Sequence, residues 1–230
     1  MQKKKIVVLS GAGISAESGI STFRDANGLW EGHDVMEVAS PEGWRKNKAL
    51  VLEFYNQRRK NVMEAKPNKG HMLLAELENT FDVNIITQNV DDLHERAGST
   101  KVLHLHGEIR KCRSTANQNL IYDMDTWQLN IGDTCPLGSQ LRPHIVWFGE
   151  EVPLLNNAVD LVMQADVFVV IGTSLLVYPA AGLINYASEN IPKFLIDPHP
   201  ASLSHIKNLN IIEKGGGEGM EQLQKHLLTN

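Results

Sequence analysis

The chain has 230 residues, of which 42% are apolar, and a formal net charge of −5. That is enough apolar material for one large globular domain, or for one domain carrying a small insertion. The near balance of charge excludes a basic nucleic-acid-binding protein, and only 21% charged residues argues against intrinsic disorder.

At the N-terminus, Met1-Gln-Lys-Lys-Lys5 carries the charge of a secretory leader, but only Ile6 to Leu9 follow as an apolar run. A secretory core needs about 7–15 such residues. Lys5 to Ser10 reads as a buried strand ending in a glycine turn, and a helix is expected after that turn. Gly32 to Asn68 is mostly helical in pattern, with Asn47 to Ala65 its longest piece and Pro67 its terminator. His71 to Glu78 then has helical spacing, and Val83 to Thr87 reads as a second buried strand. Val102 to Leu105 is a third, preceded by a short helix over Asp92 to Ala97.

Ile109 to Gln140 is polar, holds both cysteines, and offers only Leu120 to Tyr122 as a strand. Strands follow at Ile145 to Phe148, Val167 to Ile171 and Phe194 to Ile196, with helices at Leu155 to Gln164 and Ala180 to Ala187 between them. No apolar run approaches the roughly 20 residues that span a bilayer. Strand, crossover helix, strand is the unit of a doubly wound parallel sheet, so the fold class is α/β. Gly32 to Asn68 and Ile109 to Gln140 break that rhythm and read as insertions that fold together beside the sheet. Two cysteines make no disulfide framework, and a cytoplasmic location with no membrane partner is expected.

Polar motifs stand where strands end. Gly11-Ala12-Gly13-Ile14-Ser15-Ala16 fits G-x-G-x-x-G/A, whose glycines let backbone N–H groups approach a pyrophosphate; a tight turn without a ligand is the alternative. A hydride-transfer enzyme would next show a strand ending in Asp or Glu, but Ser21 to Trp30 is no strand. Thr87-Gln88-Asn89-Val90-Asp91 offers amides and a carboxylate suited to a ligand with a carboxamide and ribose hydroxyls, or else forms a polar loop capping the next helix. His104 and His106 end the third strand, and only one of them is expected to face the cleft. Gly172-Thr173-Ser174 is a further polar strand end, suited to phosphate or ribose.

Together Gly11 to Ile20, Thr22 to Asp25, Gly28 to Trp30, Thr87 to Asp91, His106-Gly107, Val146 to Glu150 and Gly172 to Ser174 resemble the sirtuin family, in that family's order. The resemblance implies a Rossmann-type domain from residues 1–32, 70–108 and 141–230, and a small module from 33–69 and 109–140. It implies an NAD-dependent protein-lysine deacylase that consumes NAD as a co-substrate and acts on acylated lysines of proteins. Gly11, Ala12, Gly13, Ser15, Ala16, Phe23, Arg24, Trp30, Gln88, Asn89, Asp91, Gly172, Thr173, Ser174, Asp197 and Gly216 would bind NAD. His106 would be the general base, with Asn89 beside it. Val146, Phe148, Gly149 and Glu150 would pair with the substrate peptide.

Tyr55 and Arg58, at i, i+3 on the long helix, resemble the subgroup that removes succinyl and malonyl groups by binding the acyl carboxylate. A mono-ADP-ribosyltransferase or NAD hydrolase, and a non-catalytic NAD-sensing module, remain as alternatives. Sirtuins usually hold zinc with two C-x-x-C pairs; here Thr115 follows Cys112 and Gly138 follows Cys135 at those spacings. No zinc is expected, and the second insertion is expected to hold itself by packing of Trp127, Leu120 and Tyr122. Asp197 replaces a common Asn and Ser21 a common Pro.

Overall fold

In the computed structural model, which describes residues 3–21, 29–30, 32–173, 175, 177–200 and 203–229, the chain begins with β1 (Lys5–Ser10) and a 3₁₀ helix over Ala12–Ser18. There follow β2 (Leu29–Trp30), β3 (His33–Asp34), α1 (Val35–Val38), α2 (Pro41–Lys46), α3 (Lys48–Glu64) and α4 (Lys69–Leu77). Next come β4 (Asp82–Thr87), α5 (Leu93–Arg96), β5 (Val102–His104), β6 (Gly107–Ser114), β7 (Ile121–Asp123) and β8 (Leu141–Ile145). The chain ends through α6 (Leu155–Met163), β9 (Val167–Ile171), a 3₁₀ helix over Ala180–Tyr186, β10 (Lys193–Ile196), β11 (Leu209–Ile212) and α7 (Gly216–Thr229).

Six strands form one parallel sheet in the order β11-β10-β9-β1-β4-β5. β1 lies at its centre. Ile6 and Val8 pack into one core with Leu74 and Leu77 of α4 and Met220 and Leu223 of α7. Val7 and Leu9 pack into a second core with Ala158 and Val162 of α6 and with Leu183 and Ile184. Both faces are covered, which is why this strand reads as a continuous apolar run rather than an alternating one. After β1 the chain moves to β4 and β5 on one side, then to β9 and β10 on the other. The order therefore reverses beside β1, where open α/β sheets bind ligands outside the carboxyl ends of their strands. None of the described helices is long and apolar enough to cross a membrane.

One expected strand is not found where it was placed. Ile145 to Phe148 does not join the parallel sheet: β8 stops at Ile145 and runs antiparallel to β6, with β7 on the far side of β6. Beyond it, Trp147 N–H donates to the Glu150 carboxylate and Phe148 N–H to the Ala39 carbonyl, so these residues form a turn. β6 and β11 were not foreseen. Both are half-exposed or short, and β6 hides only alternate side chains behind a polar sequence. The helix expected after the glycine turn, and that over Ala180 to Ala187, are both 3₁₀.

Asn47 starts α3 by accepting the Leu50 N–H, and extended backbone at Ala65, just before Lys66-Pro67, ends it. α3 buries Val51, Leu52, Phe54, Tyr55 and Val62 with Ile109, Cys112, Met124, Leu129 and Trp147. Tyr122 packs half-buried against this cluster, whereas Leu120 contributes its carbonyl to the Ser114 N–H and Trp127 its carbonyl to Arg59. Arg59 is fully buried and also donates to the Ile109 carbonyl at 2.6 Å and to Asn56 Oδ1. Asn56 in turn exchanges two hydrogen bonds with the backbone of Leu129. Burial pulls the Arg59 guanidinium down to about 10, so it stays charged at neutral pH. Arg59→Met takes the guanidinium donor from a buried and a half-buried carbonyl and is expected to cost about 2–4 kcal/mol in denaturant unfolding. An unchanged midpoint would show that packing alone holds this part.

The donor set here does not fit a closed zinc site. Cys112 lies buried on β6, Cys135 donates its thiol to Ser114 Oγ, and no three His, Cys, Asp or Glu side chains cluster suitably among the described residues. Tetrahedral zinc needs four ligands. The melting temperature is expected to be unchanged in a strong chelator, with less than stoichiometric zinc by elemental analysis. One tightly held zinc per chain would overturn this.

Candidate active site

The carboxyl ends of β1, β4, β5, β9 and β10 open into one cavity of about 630 Å³. It is lined by Ala12, Gly13, Ser15 and Ala16, by Gln88, Asn89 and Asp91, by His106, by Gly172 and Thr173, and by Asp197 and Gly216. Trp30, Tyr55, Arg58, Val146, Phe148, Gly149 and Glu150 complete the residues singled out from sequence that meet here. Gly11 stands behind the wall, and Phe23, Arg24 and Ser174 lie outside the described residues. Sequence reasoning missed Val62, Val152, Val177, Tyr178 and His199 as lining residues. Most carry no chemical signature, and only the chain's path brings them to the cavity.

The glycines of the first turn serve the packing of two loops. Gly13 N–H donates to the Gly172 carbonyl at 2.7 Å, and a Cβ on Gly13 would sit 2.7 Å from Gly172 Cα. Gly172 itself has φ +63°, a left-handed conformation open to glycine at little cost. Loops after β1 and β9 thus touch backbone to backbone, which sets the floor of the cavity.

Along that floor runs a polar network. Ser15 Oγ–H donates to Asp91 Oδ2 at 3.0 Å, and Asn89 Nδ2 donates to Ser15 Oγ and to the Gly11 carbonyl, each at 3.2 Å. Leu93 N–H donates to Asp91 Oδ1. Burial raises the Asp91 carboxyl above its ordinary range despite these donors. Gln88 Oε1 accepts from Thr173 Oγ1 at 3.2 Å. Its Nε2, though buried, has no hydrogen-bond partner among the described residues. An amide donor left unmatched beside a cavity is costly unless a ligand satisfies it. The site thus fits a ligand with acceptor oxygens at this depth, as NAD has.

His104 and His106 have different surroundings. A continuous strand would put both rings on one face, but β5 ends at His104, and Leu105 and His106 form a turn. Gly107 follows at φ +82°, tight against the His144 backbone. His106 lines the cavity, and its Nδ1 lies 3.0 Å from the Gln88 carbonyl. A carbonyl only accepts, so Nδ1 carries the proton and Nε2 keeps its lone pair. Burial lowers the His106 pKa, with the Gln88 carbonyl opposing in part. The ring is therefore neutral at neutral pH.

On another wall of the cavity, Tyr55 is fully buried and its hydroxyl oxygen accepts from Trp147 Nε1–H at 3.0 Å. Burial raises its pKa strongly, which keeps the phenol protonated. The Arg58 guanidinium stacks over the Trp30 ring at 4.3 Å from its centre. Glu150 is held by Arg142 at 2.7 Å and Arg113 at 3.3 Å, and Arg142 lies over the Trp147 ring. Burial would raise the Glu150 carboxyl, but Arg142 and the Trp147 N–H hold it low. This pins the turn 147–150.

Residues 11–179 match the model of the Sir2 family. An NAD-dependent protein deacylase of Helicobacter pylori (strain J99) is 56% identical over 98% of this chain and 96% of its own length. One from Bacteroides thetaiotaomicron is 52% identical over 98% of both chains. Among solved structures, a Sir2 homologue–NAD complex aligns with TM-score 0.89 at 40% identity, covering 99% of this chain and 90% of that one.

Proposed function

The chain belongs to the Sir2 family, and on that premise we propose that it is an NAD-dependent protein-lysine deacylase. NAD supplies a ribosyl centre that accepts the acyl group as nicotinamide leaves. His106 carries this reading: it is a neutral imidazole with Nε2 unprotonated, in the same cavity as the glycine turn and the unmatched Gln88 amide. At Nε2 it takes the proton of a ribose hydroxyl, as a base titrating near working pH does best. Asn89, fixed by Gly11 and Ser15, orients the ribose beside it. Asp91 works through Ser15. Gln88 Nε2 donates to the ligand, and Ala12, Gly13, Ser15, Ala16, Trp30, Gly172 to Ser174, Asp197 and Gly216 bind the remainder, with Phe23 and Arg24; Gly11 supports them from behind through its carbonyl to Asn89.

The acylated lysine of a protein enters from the side of Val146, Phe148, Gly149 and Glu150, and the peptide pairs with the backbone of this segment. Residues 1–32, 70–108 and 141–230 would form the NAD-binding domain, and 33–69 with 109–140 the smaller module. Tyr55 and Arg58 extend the substrate range from acetyl to succinyl and malonyl groups. Support comes from a protonated phenol and a stacked guanidinium lining one cavity.

Mass spectrometry of an acyl-lysine peptide incubated with the protein and NAD tests this. O-acyl-ADP-ribose with free nicotinamide is the expected product. ADP-ribosylated protein or free ADP-ribose alone would point to a transferase or NAD hydrolase, and unchanged NAD to a non-catalytic module.

A further inference from the structure

We propose that His104 is a positioning residue: held as an imidazolium by Glu95, it fixes the main-chain carbonyl of Asn89 and so sets an upper pH bound on activity. The inference rests on the deacylase reading only for its effect on rate; the state of the ring stands on geometry. His104 Nε2 lies 2.7 Å from Glu95 Oε1, and Nδ1 lies 3.1 Å from the Asn89 carbonyl. Both partners accept and neither donates. Two hydrogen bonds therefore require two ring protons, which only the imidazolium has. The His104 side chain is 8% exposed, so water cannot replace a lost partner cheaply.

The charges around the ring agree with this state. Glu95 and His94 face it from α5, Asp91 from the turn after β4, and Glu108 from β6, where Lys111 pairs with Glu108 at 3.0 Å. Burial would lower the His104 pKa, but the bonds to Glu95 and Asn89 outweigh it and the net direction is upward from 6.5. The clamp is thus complete at low pH and is lost as pH rises through the raised value. The proton facing the charged Glu95 carboxylate, at the shorter distance, is held more strongly, so deprotonation takes the Nδ1 proton and releases the Asn89 carbonyl. His106, two residues away, titrates in the opposite sense, because its neutral form is the working one. The two histidines would then bound activity from both sides, His106 on the acid side and His104 on the alkaline side.

Nitrogen NMR of the histidine rings and pH profiles of kcat/KM test the proposal together. Both His104 nitrogens should carry protons at neutral pH, and the amide of Val90, which follows the Asn89 carbonyl, should titrate with the ring. An Asn side chain places a donor where Nδ1 stands but does not titrate. His104→Asn should therefore lose the alkaline limb and keep kcat within about threefold, while His104→Ala should lower kcat about tenfold with KM for the peptide little changed. Glu95→Gln should move the alkaline limb to lower pH. A neutral His104 ring at pH 7, a Val90 amide indifferent to its titration, or an alkaline limb unaltered in His104→Asn would overturn the proposal. Absence of any deacylation by the wild-type protein would instead refute the functional reading, and the two NMR measurements would still decide the state and reach of His104.

Discussion

Replacing His106 by Ala is expected to lower kcat/KM for deacylation by about 10²- to 10⁴-fold, the usual contribution of a positioned general base. The fold and NAD binding should survive. His106 lies in a turn rather than in a core cluster, and its ring bonds the Gln88 carbonyl, while its backbone carbonyl, which the substitution keeps, accepts from Val146 N–H. Melting temperature and binding of ADP-ribose by calorimetry check that the loss is chemical rather than structural. The acid side of the pH profile follows from the same residue. Burial lowers its pKa, so the neutral form persists below the ordinary histidine value of 6.5, and activity should fall only as pH drops through the lowered value. That acid limb should vanish in the Ala variant's residual rate. Near-normal turnover by a folded His106→Ala protein would overturn the assignment. His104 would not inherit the role, since both of its ring nitrogens face acceptors.

Arg58→Met is expected to lose desuccinylation by about 10- to 150-fold, equivalent to roughly 1.5–3 kcal/mol for a charge-assisted contact. Deacetylation should change little, because an acetyl group has no terminal carboxylate. The loss should appear mainly as raised KM for the succinylated peptide. Trp30 lies against the guanidinium, a planar donor group whose match to a carboxylate Lys cannot imitate. Tyr55 supplies the second donor: its oxygen already accepts from Trp147, and its own proton stays on because burial opposes ionisation. Equal loss of both activities would instead make Tyr55 and Arg58 structural residues of α3. Competition between acetylated and succinylated peptides in one reaction gives the comparison without separate enzyme preparations.

Much of the parallel sheet was legible because strands buried on both faces show their burial directly in sequence. Lys5 to Ser10 and Val167 to Ile171 are the same in sequence and structure, and Val83 to Thr87 and Phe194 to Ile196 differ by one residue at one end. The three-stranded sheet was not legible. β6 alternates buried and half-buried positions within Gly-Glu-Ile-Arg-Lys-Cys-Arg-Ser, so its polar half masks its strand character. β8 contains Pro143, and its antiparallel pairing with β6 comes from a partner about thirty residues away.

By itself the sequence determined the α/β class and which polar residues stand at strand ends, since both follow from local apolar runs and the residues that stop them. It also placed the glycine turn directly after the first strand. Only the tertiary structure decided which of two histidines can act as a base, because that turns on whether one ring nitrogen or both meet acceptors from other segments. Likewise Arg58 and Arg59 are adjacent and chemically alike, yet one lines the cavity over Trp30 and the other is spent on the carbonyls of Ile109 and Trp127. Helical geometry turns neighbours about 100° apart, and what each then meets depends on elements far along the chain.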